Sequence, residues 1–333
     1  RFRTLDDWVA LGDLEVGSRI AVPRRLDAPE AVVPMDEDEL VLLAHLLGDG
    51  CVLPHQPVHY TSADPANLDV VEEAAARRFG TTPRRIGQGN WWHAYLPAPH
   101  HLTHGRRNPI AEWWDGLGLA DRRSSTKFVP AAVFAVPDQQ VALFLRHLWA
   151  TDGSICLPAS GPKVRLYYAS SSRQLIDDVQ LLLLRLGIQS RLTTVTEVTG
   201  RPGYQLRIDG VDHQRRFLEL VGIHGARGRL VQPALDLLAG VVANPNVDTI
   251  PFEVRARIVD AMARVGMSQR ALADAIDEQY CGSYLLGSPT KPRASSRGRL
   301  ERIAAAVGDK DLHDLATSDV LWDQVVAIEP LGE

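Results

Sequence analysis

Two aspartates, each followed by glycine, close two apolar runs that lie 103 residues apart. The first is Leu42-Leu43-Ala44-His45-Leu46-Leu47-Gly48-Asp49-Gly50, the second Leu145-Arg146-His147-Leu148-Trp149-Ala150-Thr151-Asp152-Gly153. Both read as helices stopped at Asp-Gly, a strong breaker after a helical pattern. A carboxylate there occupies the unfavourable end of the helix dipole, and a lone Asp-Gly is an ordinary turn. A matched pair says more. If the helices pack side by side, Asp49 and Asp152 meet and repel unless a cation stands between them. Ala44 and Gly48 are small enough for such an approach, His147 and Thr151 opposite them less so. Two carboxylates with the neighbouring carbonyls of Gly48 and Thr151 form an oxygen set suited to Mg²⁺. The reaction such sites serve is hydrolytic attack on a phosphodiester.

The elements that must position these aspartates repeat too. His59-Tyr60-Thr61-Ser62 matches Tyr167-Tyr168-Ala169-Ser170, and Asn67-Leu68 matches Gln174-Leu175. Arg84-Arg85-Ile86 falls opposite Arg191-Leu192. Periodicity predicts helices over 39–47 and 141–150, then strands over 58–63 and 164–169. Second helices follow over 66–79 and 175–186, with apolar residues at Leu68, Val71, Ala75 and Phe79 and at Leu175, Val179, Leu182 and Leu186. Further strands are expected within 83–95 and over 189–198 and 204–208, the last two flanking a turn at 199–203, before a closing helix over 211–221. The fold class is α+β: two similar helix-strands-helix-strands units, 35–130 with its linker and 131–245.

Composition bounds the function. At 333 residues, 45% hydrophobic and 23% charged, the chain is globular. No apolar run approaches the ~18 residues a membrane crossing needs, and no signal peptide is present. Three widely spaced cysteines rule out a disulfide framework and point to a cytoplasmic setting. His100, His101 and His104 lack a nearby Cys to complete a zinc set. A net charge of −5 argues at face value against nucleic acid, but the charges are segregated: 36–39 is acidic, while Arg77, Arg78, Arg84, Arg85, Arg106, Arg107, Arg122, Arg123 and Lys127 bias the following stretch positive. A first residue other than Met suggests a piece of a longer precursor.

The two nonapeptides resemble the repeated motif of the LAGLIDADG homing endonucleases, with Asp49 and Asp152 at the carboxylate position; His147 and Ala44 stand where that family usually has Gly. More narrowly, the chain resembles the endonuclease region of an actinobacterial replicative-helicase intein. Leu5, Trp8, Leu14, Gly17 and Ile20-Ala21-Val22-Pro23-Arg24 resemble the stretch before the insert, and Ser318-Asp319-Val320-Leu321-Trp322-Asp323-Gln324-Val325-Val326-Ala327-Ile328-Glu329-Pro330 the stretch after it. The flanks 1–34 and 318–333 would be splicing-domain strands, although the residues that splicing requires are missing from this chain. The resemblance implies saddle-like DNA-binding sheets, Mg²⁺ (with Mn²⁺ as a substitute), double-stranded DNA as partner, a monomer, and cleavage of an intein-less helicase allele.

In Ser125-Thr126-Lys127-Phe128-Val129-Pro130 the resemblance implies a lysine that approaches the scissile phosphate. Counting along the repeat makes Arg229 its counterpart, 77 residues after Asp152 against 78 after Asp49, with Lys163 a competing candidate on the first strand of the second unit. Polar candidates for DNA contact on the sheets are His59, Thr61, Arg84, Arg85, Gln88, Asn90, His93, Lys163, Arg165, Tyr167, Arg191, Thr193, Gln205 and Arg207; Arg, Gln and Asn can read base edges. After a linker at 245–251, helices over 254–265, 269–276 and 299–307 resemble a phage-repressor helix-turn-helix module spanning 246–317. Arg293, Arg297 and Arg299 give it a basic edge suited to phosphates. Two rival readings are a sequence-specific DNA-binding protein with a decayed nuclease and an inert intein spacer.

Overall fold

The computed structural model describes all residues except 104, 160, 162, 197–201, 245–246, 283–284, 289, 291 and 330–333. His104, Lys291, Pro330 and most of the turn at 199–203 therefore lie outside the described residues. The chain divides into two compact units, one of residues 25–242 and one joining 1–24 to 243–333.

The second of these begins with β1 (Phe2–Arg3), β2 (Trp8–Val9) and β3 (Arg19–Pro23). The chain then passes into the larger unit at α1 (Glu37–Asp49), which Asp36 caps by accepting from the Glu39 amide. The acidic stretch noted above is this helix start, where Glu37, Asp38 and Glu39 meet the positive end of the dipole. After α1 come β4 (Gly50–Cys51), β5 (His59–Ser62), α2 (Pro65–Phe79), β6 (Arg84–Gly87) and β7 (Trp92–Tyr95). Two short helices, α3 (Pro109–Gly116) and α4 (Ala131–Phe134), lead into α5 (Asp138–Asp152). From there the order recurs: β8 (Gly153–Cys156), β9 (Arg165–Ser170), α6 (Arg173–Arg185), β10 (Arg191–Thr196) and β11 (Pro202–Arg207), then α7 (Val211–Leu220) and α8 (Val231–Leu238).

Each repeat builds a four-stranded antiparallel sheet of the same order, β4-β5-β7-β6 and β8-β9-β11-β10. Strand alternation decides what each face carries. Tyr60 and Ala94, paired in register, are fully buried against the helices, and so are Tyr168 and Leu206 in the second sheet. One continuous core runs through α1, α2, α5, α6 and the inner sheet faces. The strands β4 and β8 were not expected from the sequence; at two to four residues, directly after a helix, they leave no periodic signature.

The remaining unit continues with β12 (Thr249–Ile250), α9 (Val254–Arg264), α10 (Gln269–Ala275), β13 (Ser295–Ser296), α11 (Arg297–Val307), α12 (Lys310–Thr317) and β14 (Val320–Gln324). Ser268 caps α10 as the sequence suggested, and Asp309 caps α12, which the sequence reading left out. The three helices expected over 254–265, 269–276 and 299–307 appear as α9, α10 and α11. The flanks pair, β14 on β3, and Leu5 and Trp322 join the core of the helical module.

Arg297 ties this unit together. Its Nε meets Asp248 at 2.8 Å, and Nη1 donates to the Ala316 carbonyl at 2.9 Å and the Ser318 carbonyl at 3.2 Å, while Nη2 reaches the Val320 carbonyl. Removing it leaves a carboxylate and several carbonyls short of a donor. Arg297→Ala should destabilise this unit by about 2–4 kcal/mol, seen as faster hydrogen exchange at α11 and α12 in the full chain. Parent-like exchange in both helices would show that the arginine is dispensable.

Candidate active site at the paired helix ends

The two Asp-Gly steps turn a helix into a strand without a loop. A Cβ on Gly50 would stand 2.4 Å from the Leu46 Cα, and one on Gly153 2.3 Å from the Trp149 carbonyl oxygen. Only glycine permits the chain to double back that tightly. The helices themselves pack along each other, and at Gly48 they approach so tightly that a Cβ would come within 2.1 Å of Thr151 Oγ1. Thr151 fits because its hydroxyl turns back to donate to the Leu148 carbonyl at 2.7 Å. His147 is accommodated by a partner of its own kind: its Nδ1 lies 3.0 Å from His45 Nε2, and His45 Nδ1 lies 3.0 Å from the Tyr60 hydroxyl. Burial holds both imidazoles neutral, pushing His147 down to about 3 and His45 well below its ordinary value.

Asp49 and Asp152 consequently line one cleft of about 460 Å³, with Ser124, Ser170, Ser171, Tyr204 and Gln205. A larger cavity of about 1450 Å³ at the outer edge of the first sheet shares no lining residue with it. Both carboxyl groups are raised above their ordinary range: desolvation is the main cause, and for Asp49 the charge of Asp152 adds to it. Lys127 and Arg227 pull the other way. Both aspartates remain exposed to solvent at the cleft.

Lys127 is 5% exposed, and its Nζ donates to the carbonyls of Leu46 at 2.8 Å, Gly50 at 3.0 Å and Gly48 at 3.4 Å. These are the terminal carbonyls of α1, where a cation is favoured. Burial lowers its pKa to about 8 against the pull of Asp152 and Asp49. All three ammonium protons are engaged, so the side chain serves as a fixed charge at the helix end. At the end of α5 the matching cation is Arg227, not Arg229: its Nη1 donates to the carbonyls of Ala150 and Thr151, the latter at 2.8 Å. Arg229 is exposed in the same 3-10 turn, Gly225–Leu230. Counting residues could not resolve one arginine from another two positions away, because the tight turn sets which one points inward. The Gly48 and Thr151 carbonyls, expected as metal ligands, accept from Lys127 and Arg227.

The open sheet faces carry most of the other candidates. On the first, register places His59, Thr61, His93 and Arg84 together, along with Ile86 and Tyr95, which the sequence reading omitted. Thr61 Oγ1 and His93 Nδ1 are 3.0 Å apart. Gln88 and Asn90 are exposed in the β6–β7 turn. Arg85 is a correction: it pairs with Ala94 in register, faces the helix layer, and binds Glu72 at 2.6 Å and also Asp69. On the second sheet Arg165, Tyr167, Arg191, Thr193, Gln205 and Arg207 share the open face. Lys163 is exposed but precedes β9, whose first residue Arg165 pairs with Cys156. It thus stands at the far end of the hairpin from Gly153, ~10 Å or more along the strand, and is not positioned to replace Lys127.

Arg297 and Arg299 also turn inward. Arg299, 8% exposed, meets Glu278 at 2.9 Å and donates to the Leu285 carbonyl at 2.6 Å. Burial opposes the ionised Glu278, but the Arg299 hydrogen bond and charge, with Arg293 and Arg302 adding, keep that carboxyl below its ordinary value. The expected phosphate-binding edge is in these positions an internal ion cluster.

Among the described residues no group of three or more His, Cys, Asp or Glu side chains could hold a metal ion. No helix of the described residues is long and apolar enough to cross a membrane. Residues 139–222 match the LAGLIDADG-like domain. The chain is 41% identical over 339 residues to replicative DNA helicase DnaB of Rhodothermus marinus, covering all of this chain and 35% of that protein. It is 36% identical to the DnaB of Synechocystis sp. over all of this chain and 38% of that one. It is also 26% identical to protein RecA of Mycobacterium tuberculosis over 97% of this chain and 42% of RecA. It therefore spans little more than a third of the helicases it matches. A solved structure of I-DmoI with DNA and Mn aligns with 56% of this chain and 96% of its own at 11% identity and a TM-score of 0.40, a similarity too weak to argue from. Residues 139–222 are thus similar to a LAGLIDADG-like domain, and the chain as a whole is similar to a segment of DnaB and RecA proteins.

Proposed function

We propose that the protein is a site-specific double-strand DNA homing endonuclease, carried as an intein segment of a replicative helicase, that hydrolyses phosphodiesters with Mg²⁺ at an intein-less allele. The observation that supports this most directly is the pair Asp49 and Asp152 at adjacent helix ends in one cleft, beside two sheets whose open faces bear polar side chains. Retention of both aspartates favours this reading over a DNA-binding protein with a decayed nuclease or an inert spacer. With both repeats in one chain, a monomer suffices.

The donor set fits Mg²⁺, which binds through one or two carboxylates and completes its shell with water and phosphate oxygens. The mutual repulsion of the carboxylates is what such an ion relieves. Once bound, the ion would supply Lewis acidity and an activated water for in-line attack. The chain's own groups do the rest. Asp49 and Asp152 hold the ion and the waters around it. Lys127 and Arg227 place fixed positive charge behind the reacting phosphate and offset charge that develops there. Neither needs to transfer a proton. The open sheet faces hold the duplex in register, with Arg84, Arg165, Arg191 and Arg207 at phosphates or base edges.

Asp49→Asn or Asp152→Asn should reduce cleavage of a plasmid carrying the uninterrupted helicase junction by roughly 10²–10³ or more, with DNA binding by gel shift retained. A D49N protein that still cuts both strands would refute the shared centre.

Metal occupancy has a readout independent of activity. A carboxyl raised in the folded state costs nothing below its unfolded value of 3.8 and destabilises increasingly as pH rises toward its folded value of about 7. Without divalent ions, Asp49→Asn should therefore melt above the parent, by a margin that widens between pH 3.8 and about pH 7 and stays level above it. Adding Mg²⁺ should raise the parent's melting temperature and leave that of D49N nearly unchanged. Equal responses of the two proteins to Mg²⁺ would remove Asp49 from the metal site.

A further inference from the structure

The two cations at the helix ends are held in place from the opposite repeat. Lys127 follows the first repeat and caps α1, but its backbone rests on α6 of the second. Ser172, the α6 cap, is fully buried and donates from Oγ to the Lys127 carbonyl at 2.6 Å. Two residues on, the Val129 amide donates to Asp178 Oδ2 at 2.8 Å, and Gln174 fixes the other carboxylate oxygen at 2.8 Å. Asp178 is 6% exposed, and neither contact touches the cleft.

The arrangement is returned by the other repeat. Arg227 follows the second repeat and caps α5, while its turn sits on the start of α2 in the first. The Ala226 amide donates to Asp64 Oδ2 at 2.5 Å, and His224 Nε2 lies 3.2 Å from the Ala66 carbonyl. Gly225, at φ +73°, is required there: a Cβ would lie 2.4 Å from Asp64 Oδ2 and 2.6 Å from Asn67 Oδ1. Asn67 itself reaches across to the Ala150 carbonyl at 3.1 Å.

We propose that Ser172 and Asp178 are positioning residues for Lys127, and Asp64 for Arg227, forming a reciprocal clasp in which the second helix of each repeat sets the charged group at the other repeat's helix end. The geometry stands by itself; its bearing on catalysis rests on the nuclease reading above. A consequence is that neither end can be assembled alone, so damage to α6 is felt at Asp49 and damage to the start of α2 at Asp152.

The test uses the full chain and its four lysines, Lys127, Lys163, Lys291 and Lys310. Acetylation by acetic anhydride, followed residue by residue by mass spectrometry, reads whether the Lys127 amine is seated. In the parent, Lys127 should react far more slowly than the exposed Lys163. Ser172→Ala and Asp178→Ala should each speed Lys127 labelling by about fivefold for the lost hydrogen bond, with Lys163 and Lys310 unchanged. Asp178→Asn, which keeps an acceptor for the Val129 amide, should lie nearer the parent. If Asp178→Ala does not fold, judged by near-ultraviolet circular dichroism, Ser172→Ala carries the test. Parent-like protection of Lys127 in Ser172→Ala overturns the proposal, and so does Lys127 labelling as fast as Lys163 in the parent. Strand-resolved single-turnover cleavage adds the catalytic arm: Asp178→Ala should slow the strand served by the Asp49 end more than the other, and Asp64→Ala the reverse, with DNA affinity unchanged. A parent that cuts no DNA while the labelling pattern holds would refute the nuclease reading and leave the clasp standing.

Discussion

The contact between Gly48 and Thr151 determines more of this molecule than any other. It lets α1 and α5 close until their last turns touch, and closure brings together two carboxylates that electrostatics would keep apart. Each already sits at the negative end of its own dipole, an effect of roughly 0.3–1 kcal/mol, and desolvation adds to the cost. Stability elsewhere must offset this. The buried apolar residues Leu40, Leu42, Leu43, Leu46 and Leu47, in one cluster with Phe144, Leu145 and Leu148, are where that stability lies.

Polar groups inside that seam follow the same economy. The chain from Tyr60 through His45 to His147 gives each buried imidazole a partner without introducing charge. A protonated histidine there would be desolvated and would meet His224 and, at His147, the Arg146 guanidinium, whereas neutral rings pack without that repulsion. His147 is thus matched by His45 one helix away, and a hydrogen bond between the two rings joins α1 to α5 there.

Much of the repeat was legible from sequence because its signals are local: apolar periodicity, Asp-Gly stops, and an order of elements that recurs. The helices α1, α2, α5 and α6 lie within a few residues of their expected bounds. What sequence could not convey depends on tertiary geometry. Arg227 and Arg229 are equivalent by type and nearly by spacing; only the 3-10 turn distinguishes them. Arg84 and Arg85 are adjacent and identical, and strand alternation sends one to the open face and the other to Glu72. Arg297 and Arg299 looked like a basic edge because the carbonyls and carboxylates they satisfy, from Asp248 to Val320, are distant in the chain.

The same logic reconciles an acidic chain with the DNA partner proposed above. The net charge of −5 counts every carboxylate alike, but many of them are already paired on the helix side. Asp38 binds Arg77 at 2.7 Å, Glu39 binds Arg78 at 2.6 Å, Asp177 binds Arg173 at 2.9 Å, and Glu72 with Asp69 holds Arg85. Such pairs contribute modest stability, yet they neutralise charge locally and keep it off the open faces. On those faces the cationic groups are Arg84, Arg165, Arg191 and Arg207, and of these only Arg207 has a carboxylate partner, Asp209 at 3.4 Å, among the described ion pairs. A polyanion laid on the sheets would meet these arginines and the uncharged hydroxyls, amides and imidazoles between them, while the paired carboxylates named above lie on the helix side. The field that a duplex would encounter is set by where the carboxylates point, and Asp38, Glu39, Asp69, Glu72 and Asp177 are held by arginines on the helix side.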